Sequence, residues 1–161
     1  MRRKISLLLA LLLLLFMGAG YLKEATDIAE ASNKQVSPTG NITDKKEAQK
    51  TLQLLVENLD AASQKDVNRY VDTLVTSAQT STAKEMTVFF KTYTLEHRLL
   101  SFQVVKQETD HMLVKTKQQT LNRGTSQYKD HITHANHTFV KENNKWKIEE
   151  TIMTQTEFIN P

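Results

Sequence analysis

The chain has 161 residues, 21 Lys+Arg against 18 Asp+Glu, a pI near 9.0 and no cysteine. That length holds one domain plus a leader, and the missing cysteine excludes disulfides, thiolate catalysis, Cys-ligated zinc, iron–sulfur clusters and a lipid-modified lipoprotein cysteine. Arg2, Arg3 and Lys4 account for three of the 21 cations, so from Tyr21 onward the balance is 18 against 18 and no nucleic-acid partner is expected.

Met1–Lys4 is a basic end that feeds an apolar run from Ile5 to Met17, followed by Gly18-Ala19-Gly20-Tyr21-Leu22. This is the pattern of an export signal or a single-pass anchor, and it places everything downstream outside the cytoplasm. Residues 5–22 would make about 27 Å of helix, enough to reach across a ~30 Å hydrocarbon layer. The small residues Gly18 and Gly20 also suit cleavage before Tyr21. Residues 1–22 are therefore a signal peptide or a transmembrane anchor, and the protein is a single-pass membrane protein or a secreted one.

Residues 23–43 read as a flexible linker, with Ser37-Pro38-Thr39-Gly40-Asn41 as turn and breaker residues. Asp44-x-x-Glu47 then resembles a capping box, and Ala48, Leu52, Leu55, Val56, Leu59 and Ala62 recur at helical spacing over 44–63. Asp66 is placed to cap a second helix carrying Val67, Tyr70, Val71, Leu74 and Val75. Thr82-x-x-Glu85 reads as the start of a third, with Met86, Phe89, Phe90 and Tyr93.

After Thr94 the period falls to two. Leu100, Phe102 and Val104 alternate with polar residues, Met112 to Leu121 reads as a strand, and Thr133, Ala135, His137 and Phe139 share a face of the next. Trp146, Ile148, Glu150 and Ile152 share a face of the last strand. Asn143-Asn144 suits a tight hairpin, because Asn tolerates φ > 0. Such short connections join antiparallel strands. The expected fold is α+β: three helices, then a four-stranded antiparallel meander that buries one face against them.

This order resembles the nuclear transport factor 2-like superfamily, the cystatin-like α+β cone, over residues 44–158. The long first helix, the helix Asp66-Val67-Asn68-Arg69-Tyr70-Val71, the meander, and the ending Asn143-Asn144-Lys145-Trp146-Lys147-Ile148 carry the likeness. The resemblance implies a curved sheet wrapped round the first helix, with a cone-shaped pocket. It also implies a choice of functions, since members include isomerases, dehydratases, small-ligand binders and assembly domains.

Little dedicated chemistry is visible. One glycine, Gly124, and no proline lie between Asp44 and Phe158, so phosphate-cradling loops and dinucleotide motifs are excluded and no cofactor is expected. No Gly-x-Ser-x-Gly elbow exists. His131-Ile-Thr-His134-Ala-Asn-His137 looks like a ligand cluster, but on a strand His131 and His137 lie about 20 Å apart and His134 faces the other way. A histidine on a neighbouring strand, His97 or His111, would be needed to complete a site, so no metal is expected. The isomerases of the superfamily pair an inward carboxylate with a hydroxyl donor. Glu150, with Tyr70 or Tyr93, is the matching set here, against the plainer reading of a rim carboxylate and core tyrosines. The candidate ligand-binding residues are Tyr70, Tyr93, Phe102, Trp146 and Glu150. The expected function is an extracytoplasmic, membrane-tethered, non-catalytic domain. It would bind a small apolar molecule in the cone, or a protein partner or second copy through the sheet face. The alternatives are an envelope assembly component similar to type IV secretion and conjugation proteins, and an isomerase-like enzyme using Glu150.

Overall fold

The computed structural model of this protein describes residues 36–159. The leader expected at 1–22, and the first part of the linker expected at 23–43, lie outside the described residues. Among the described residues no helix is long and apolar enough to cross a membrane.

Among the described residues three helices precede the long strands. Helix α1 spans Lys45–Ser63, and the Asp44 carboxylate caps it by accepting from the backbone N–H groups of Lys46 and Glu47 at 2.8 and 3.1 Å. Its inward face is Ala48, Leu52, Leu55, Leu59 and Ala62, as the spacing predicts. Val56 is an exception, 47% exposed, while the polar Thr51 and Asn58 are buried instead. Both are satisfied, Thr51 by the Ala48 carbonyl at 3.0 Å and Asn58 by the Thr73 hydroxyl at 2.7 Å, so their burial costs little. Helix α2 is Val67–Asp72, capped by Asp66 through the Arg69 N–H at 3.0 Å. Helix α3 is Thr76–Thr92, which starts six residues before the expected Thr82. Its cap comes from a distant residue: the Glu142 carboxylate accepts from the Thr76 N–H and hydroxyl at 3.0 and 2.8 Å. Thr82 is buried within the helix.

The sheet has five strands and is mixed, where four antiparallel strands were expected. The four long strands form the predicted meander: β2 Leu95–Gln107, β3 His111–Asn122, β4 His131–Glu142 and β5 Lys145–Phe158. The fifth, β1, is only Thr39–Gly40, and it runs parallel to β2 with Gly40 opposite Val104. Gly40 has φ +89°, and a Cβ there would meet the Val104 carbonyl oxygen, so only glycine fits. Asn41 N–H donates to the Val104 carbonyl at 2.9 Å, Gln107 bridges Thr43 and Asp44, and Val36 and Ile42 pack on the core. The segment thus covers the free edge of β2. Asn143 and Asn144, at φ 50° and 61°, make the β4–β5 hairpin turn.

Bulges set which side chains face inward. In β2 extra residues fall at Leu100 and Val105, so Leu99, and not the expected Leu100, packs on the core with Phe102 and Val104. In β5 the pairing jumps from Phe139–Ile148 to Thr138–Glu150, and from Ala135–Met153 to His134–Gln155. Each jump inserts one residue, and the alternation flips each time.

The β1 segment sets a stability difference that can be measured. A fragment of residues 36–159 is expected to be more stable in urea than 44–158 by ~2–3 kcal/mol, from its lost hydrogen bonds and half-buried Val36 and Ile42. Equal midpoints would mean that residues 36–43 are a solvated spacer.

Candidate functional site

The inner face of the sheet is ordered in rows, each crossing the strands. At the narrow end Met112, Phe139 and Ile148 form an apolar row. At the wide end the row is His97, Thr120, His131 and Phe158. Between them a small cavity of about 60 Å³ separates the sheet from the helices. A water needs roughly 10–15 Å³ of such space, so the cavity admits a few waters or a molecule of a few heavy atoms. Leu55, Leu59, Met86 and Phe89 supply an apolar roof from the helices. The sheet supplies a polar floor, in which His97, Gln118, His131 and His137 are the groups with the most hydrogen-bonding capacity.

The hydrogen bonds assign the state of these groups. The Gln118 amide N lies 2.7 Å from His137 Nε2, so that nitrogen accepts, and Nδ1–H donates to the Thr151 hydroxyl at 2.9 Å. His131 Nδ1–H donates to the Lys129 carbonyl at 2.9 Å, which leaves Nε2 as an unprotonated acceptor on the cavity wall. His97 Nδ1 contacts the Thr120 hydroxyl at 3.1 Å. Burial pushes the His97 and His137 imidazoles down to about 4, His97 with further help from the charge of neighbouring His131. Burial also lowers His131, against the opposing pull of the Lys129 carbonyl and Asp130. Tyr70 and Tyr128 are pushed up to about 12, first by burial. Every titratable group on the wall is therefore neutral near pH 7, and among the described residues no carboxylate, lysine or arginine lines the cavity.

The five residues expected at the site are separated. Tyr70 lines the cavity, beside Asn58. Tyr93 is half-buried at the mouth, in an aromatic chain with Phe89 and Tyr128 at ring distances of 4.9 and 5.2 Å. Phe102 is fully packed core, and Trp146 plugs the narrow end. Glu150 is exposed on the outer face: the bulge after Ile148 turns it away from Trp146 and turns Thr151 inward in its place. Ile152, expected inside with them, is 49% exposed for the same reason. Glu150 and the tyrosines do not converge. The site residues that went unnoticed as a set were His97, Gln118 and Thr151. The signal for them lies in the cross-strand pairing, which an isolated strand does not display. His131 and His137 do share the inner face, and His134 faces out against Glu157 at 3.0 Å. Among the described residues no cluster of three or more metal-ligating side chains forms.

Trp146 is held by a charged knot at the narrow end. Its indole N–H donates to Glu47 at 2.8 Å, Lys141 pairs with the same carboxylate at 2.8 Å, and the Lys141 ammonium sits 4.9 Å from the indole ring centre. Hydrogen bonds from Lys141, then Lys50, then Trp146 hold the Glu47 carboxyl down at about 2. Glu47 thus does not close the expected capping box but ties α1 to β4 and β5. Trp146→Ala is expected to destabilise by ~3–5 kcal/mol, the cost of emptying a large aromatic site. Glu150→Ala on the outer face should stay within ~0.5 kcal/mol of the parent. Urea titration checks both, and the reverse order would place Glu150 inside.

Comparison with known proteins agrees with this architecture. The model of the family "Anti-sigma-I factor RsgI9, C-terminal domain" matches residues 53–159. A candidate aromatic ring hydroxylase from Novosphingobium aromaticivorans superposes with a TM-score of 0.64 at 12% identity, covering 73% of this chain and 96% of that one. A protein of unknown function with a cystatin-like fold from Nostoc punctiforme gives 0.58 at 12% identity, over 76% and 96% of the two chains. A nuclear transport factor 2-like protein with a cystatin-like fold, also from Novosphingobium aromaticivorans, gives 0.59 at 10% identity, over 71% and 83%. At such identities the likeness is one of fold, and the fold is nuclear transport factor 2-like. No curated protein matches the chain.

Proposed function

This chain belongs to the family of the C-terminal domain of anti-sigma-I factor RsgI9, and from that premise we propose that it is a non-catalytic binding domain. The basic end and apolar run at 1–22 tether it to the membrane and hold the domain outside the cytoplasm. Its ligand site is the cavity between helices and sheet. The observation that carries this reading is a polar wall without a single ionised group. Acid–base chemistry near neutral pH works best with a group that titrates there, whereas burial holds His97 and His137 down at about 4 and lowers His131 as well. The ligand is small and uncharged. A charge placed in this cavity would lose its hydration and gain no counter-ion. This refines the small apolar ligand expected from the sequence, because His131 Nε2 asks for a hydrogen-bond donor. The family's name supports a second role, regulation through a protein partner. The outer sheet face, with Glu150, Ile152 and His134, is the surface left for it.

Two measurements on the full chain test the proposal. Protease added to spheroplasts should digest the domain, and protection until lysis would overturn the topology. Saturation-transfer NMR with acetamide and its charged isostere acetate tests the site. Acetamide should contact the protein and lose that contact in Ala135→Leu, which fills the cavity, while acetate should not bind. Equal binding of acetate would rule out the uncharged site.

A further inference from the structure

We propose that the inner wall is a proton-binding site, at which His97, His131 and His137 together make the packing of helices on sheet responsive to acid. The inference needs no ligand and goes beyond the binding role above.

Geometry carries it. The three imidazoles stand on one concave wall, His97 on β2 and the other two on β4, and His131 and His137 are each 2% exposed. The groups that face them are neutral on every side. From α1 come Leu55, Asn58 and Leu59, from α2 Tyr70, and from α3 Met86 and Phe89. From β3 come Thr116, Gln118 and Thr120, and from β5 Thr151, Met153 and Phe158. The nearest carboxylates are engaged elsewhere. Glu96, beside His97, bonds Arg98 at 2.6 Å and Arg123 at 2.7 Å. Asp130, beside His131, accepts from the Asn122 N–H at 2.7 Å. Lys129, the other neighbour, holds its ammonium 5.6 Å from the Phe158 ring centre. An imidazolium formed on this wall therefore has no carboxylate in contact with it: the pull of Glu96 on His97 and of Asp130 on His131 is outweighed by burial, and a second charge adds repulsion.

His131 is the place where opening would begin. Its ring lies 5.7 Å from Tyr128 and 6.3 Å from Phe158, and its Nδ1–H holds the Lys129 carbonyl. It thus fastens the β3–β4 connection over the cavity mouth. Charging it forces the ring toward water and takes Tyr128 with it.

The sign follows from linkage. In the unfolded chain a histidine titrates near ~6.5, while His97 and His137 in the fold are held at about 4. Their contribution is complete above the unfolded value. It is lost as pH falls from there toward the folded value, because the unfolded chain binds more protons. His111 works the other way. Its hydrogen bond with Asp110 raises it, so its contribution is present in acid and fades as pH rises. Glu47, held at about 2, loses its contribution only between the ordinary carboxylate range and that value, below the histidine window.

The test is urea unfolding of the full chain in mild detergent, followed by the fluorescence of Trp146, the single tryptophan. Each extra proton bound on unfolding raises the unfolding constant about tenfold per unit fall in pH, so roughly a hundredfold per unit is expected from His97 and His137 as pH falls from about 6 to 4.5. His137→Gln, which keeps polar capacity without the titration, should remove about one factor of ten per unit. A flat profile in the parent, or an undiminished slope in both His97→Gln and His137→Gln, would overturn the proposal. Should the variants not fold, imidazole NMR of the parent decides. At about pH 6 the His97 and His137 rings should be neutral while His111 is charged, and charged His97 and His137 rings would end the idea.

Discussion

The pairing of β4 with β5 is the constraint on which the rest of the molecule depends. The two strands are joined by the tight Asn143–Asn144 turn and then slip twice, each time by one inserted residue in β5. Because side chains alternate with period two, each slip exchanges the faces of everything beyond it. The first slip sends Glu150 and Ile152 to the outside and brings Thr151 and Met153 under the helices. The second restores the original parity, so Thr156 and Phe158 face inward at the mouth. An unbroken strand would have placed a carboxylate on the cavity wall. The bulged one places a hydroxyl there, which accepts from His137.

The two ends of the cone are held by different physics. The narrow end is apolar and is sealed by Trp146, with Glu47 binding α1 to Trp146 and Lys141 of the β4–β5 hairpin while Lys50 of the same helix pairs with that carboxylate. The wide end is polar. Its imidazoles and hydroxyls are satisfied mainly by one another and by backbone, so burial is tolerated only while they remain neutral. Stability and responsiveness are thus divided along one axis. The helices also need the sheet at their termini, since Glu142 caps α3 and the β5 backbone at Ile148 pairs with Thr73 and Val75 on both sides of Leu74.

Much of this could be read from the sequence, because local chemistry controls it. Asp44 and Asp66 cap the helices they precede, the inner face of α1 follows its apolar spacing apart from Val56, and the alternation of Thr133, Ala135, His137 and Phe139 is the inner face of β4. What escaped depends on contacts distant in the chain. Strand β1 is two residues with no pattern of its own, and it exists because β2 has a free edge and Gly40 can approach Val104. The start of α3 is decided by Glu142, so the local Thr82–Glu85 signal misled. The bulges leave no mark in a strand read alone, which is why the sequence puts Glu150 on the face of Trp146 and Ile148 and gives no sign of Thr151. The candidate site suffered more than the fold for that reason: its members come from four strands and three helices, and one inserted residue changes the membership.

The register of β5 is open to a direct test, because the chain has no native cysteine. Single cysteines at Glu150→Cys and Thr151→Cys can be labelled with a water-soluble maleimide under native conditions. The account predicts rapid labelling at 150, on the outer face, and labelling at 151 limited by opening of the domain. Fast labelling at 151 with protection at 150 would contradict it, and would return the carboxylate to the interior.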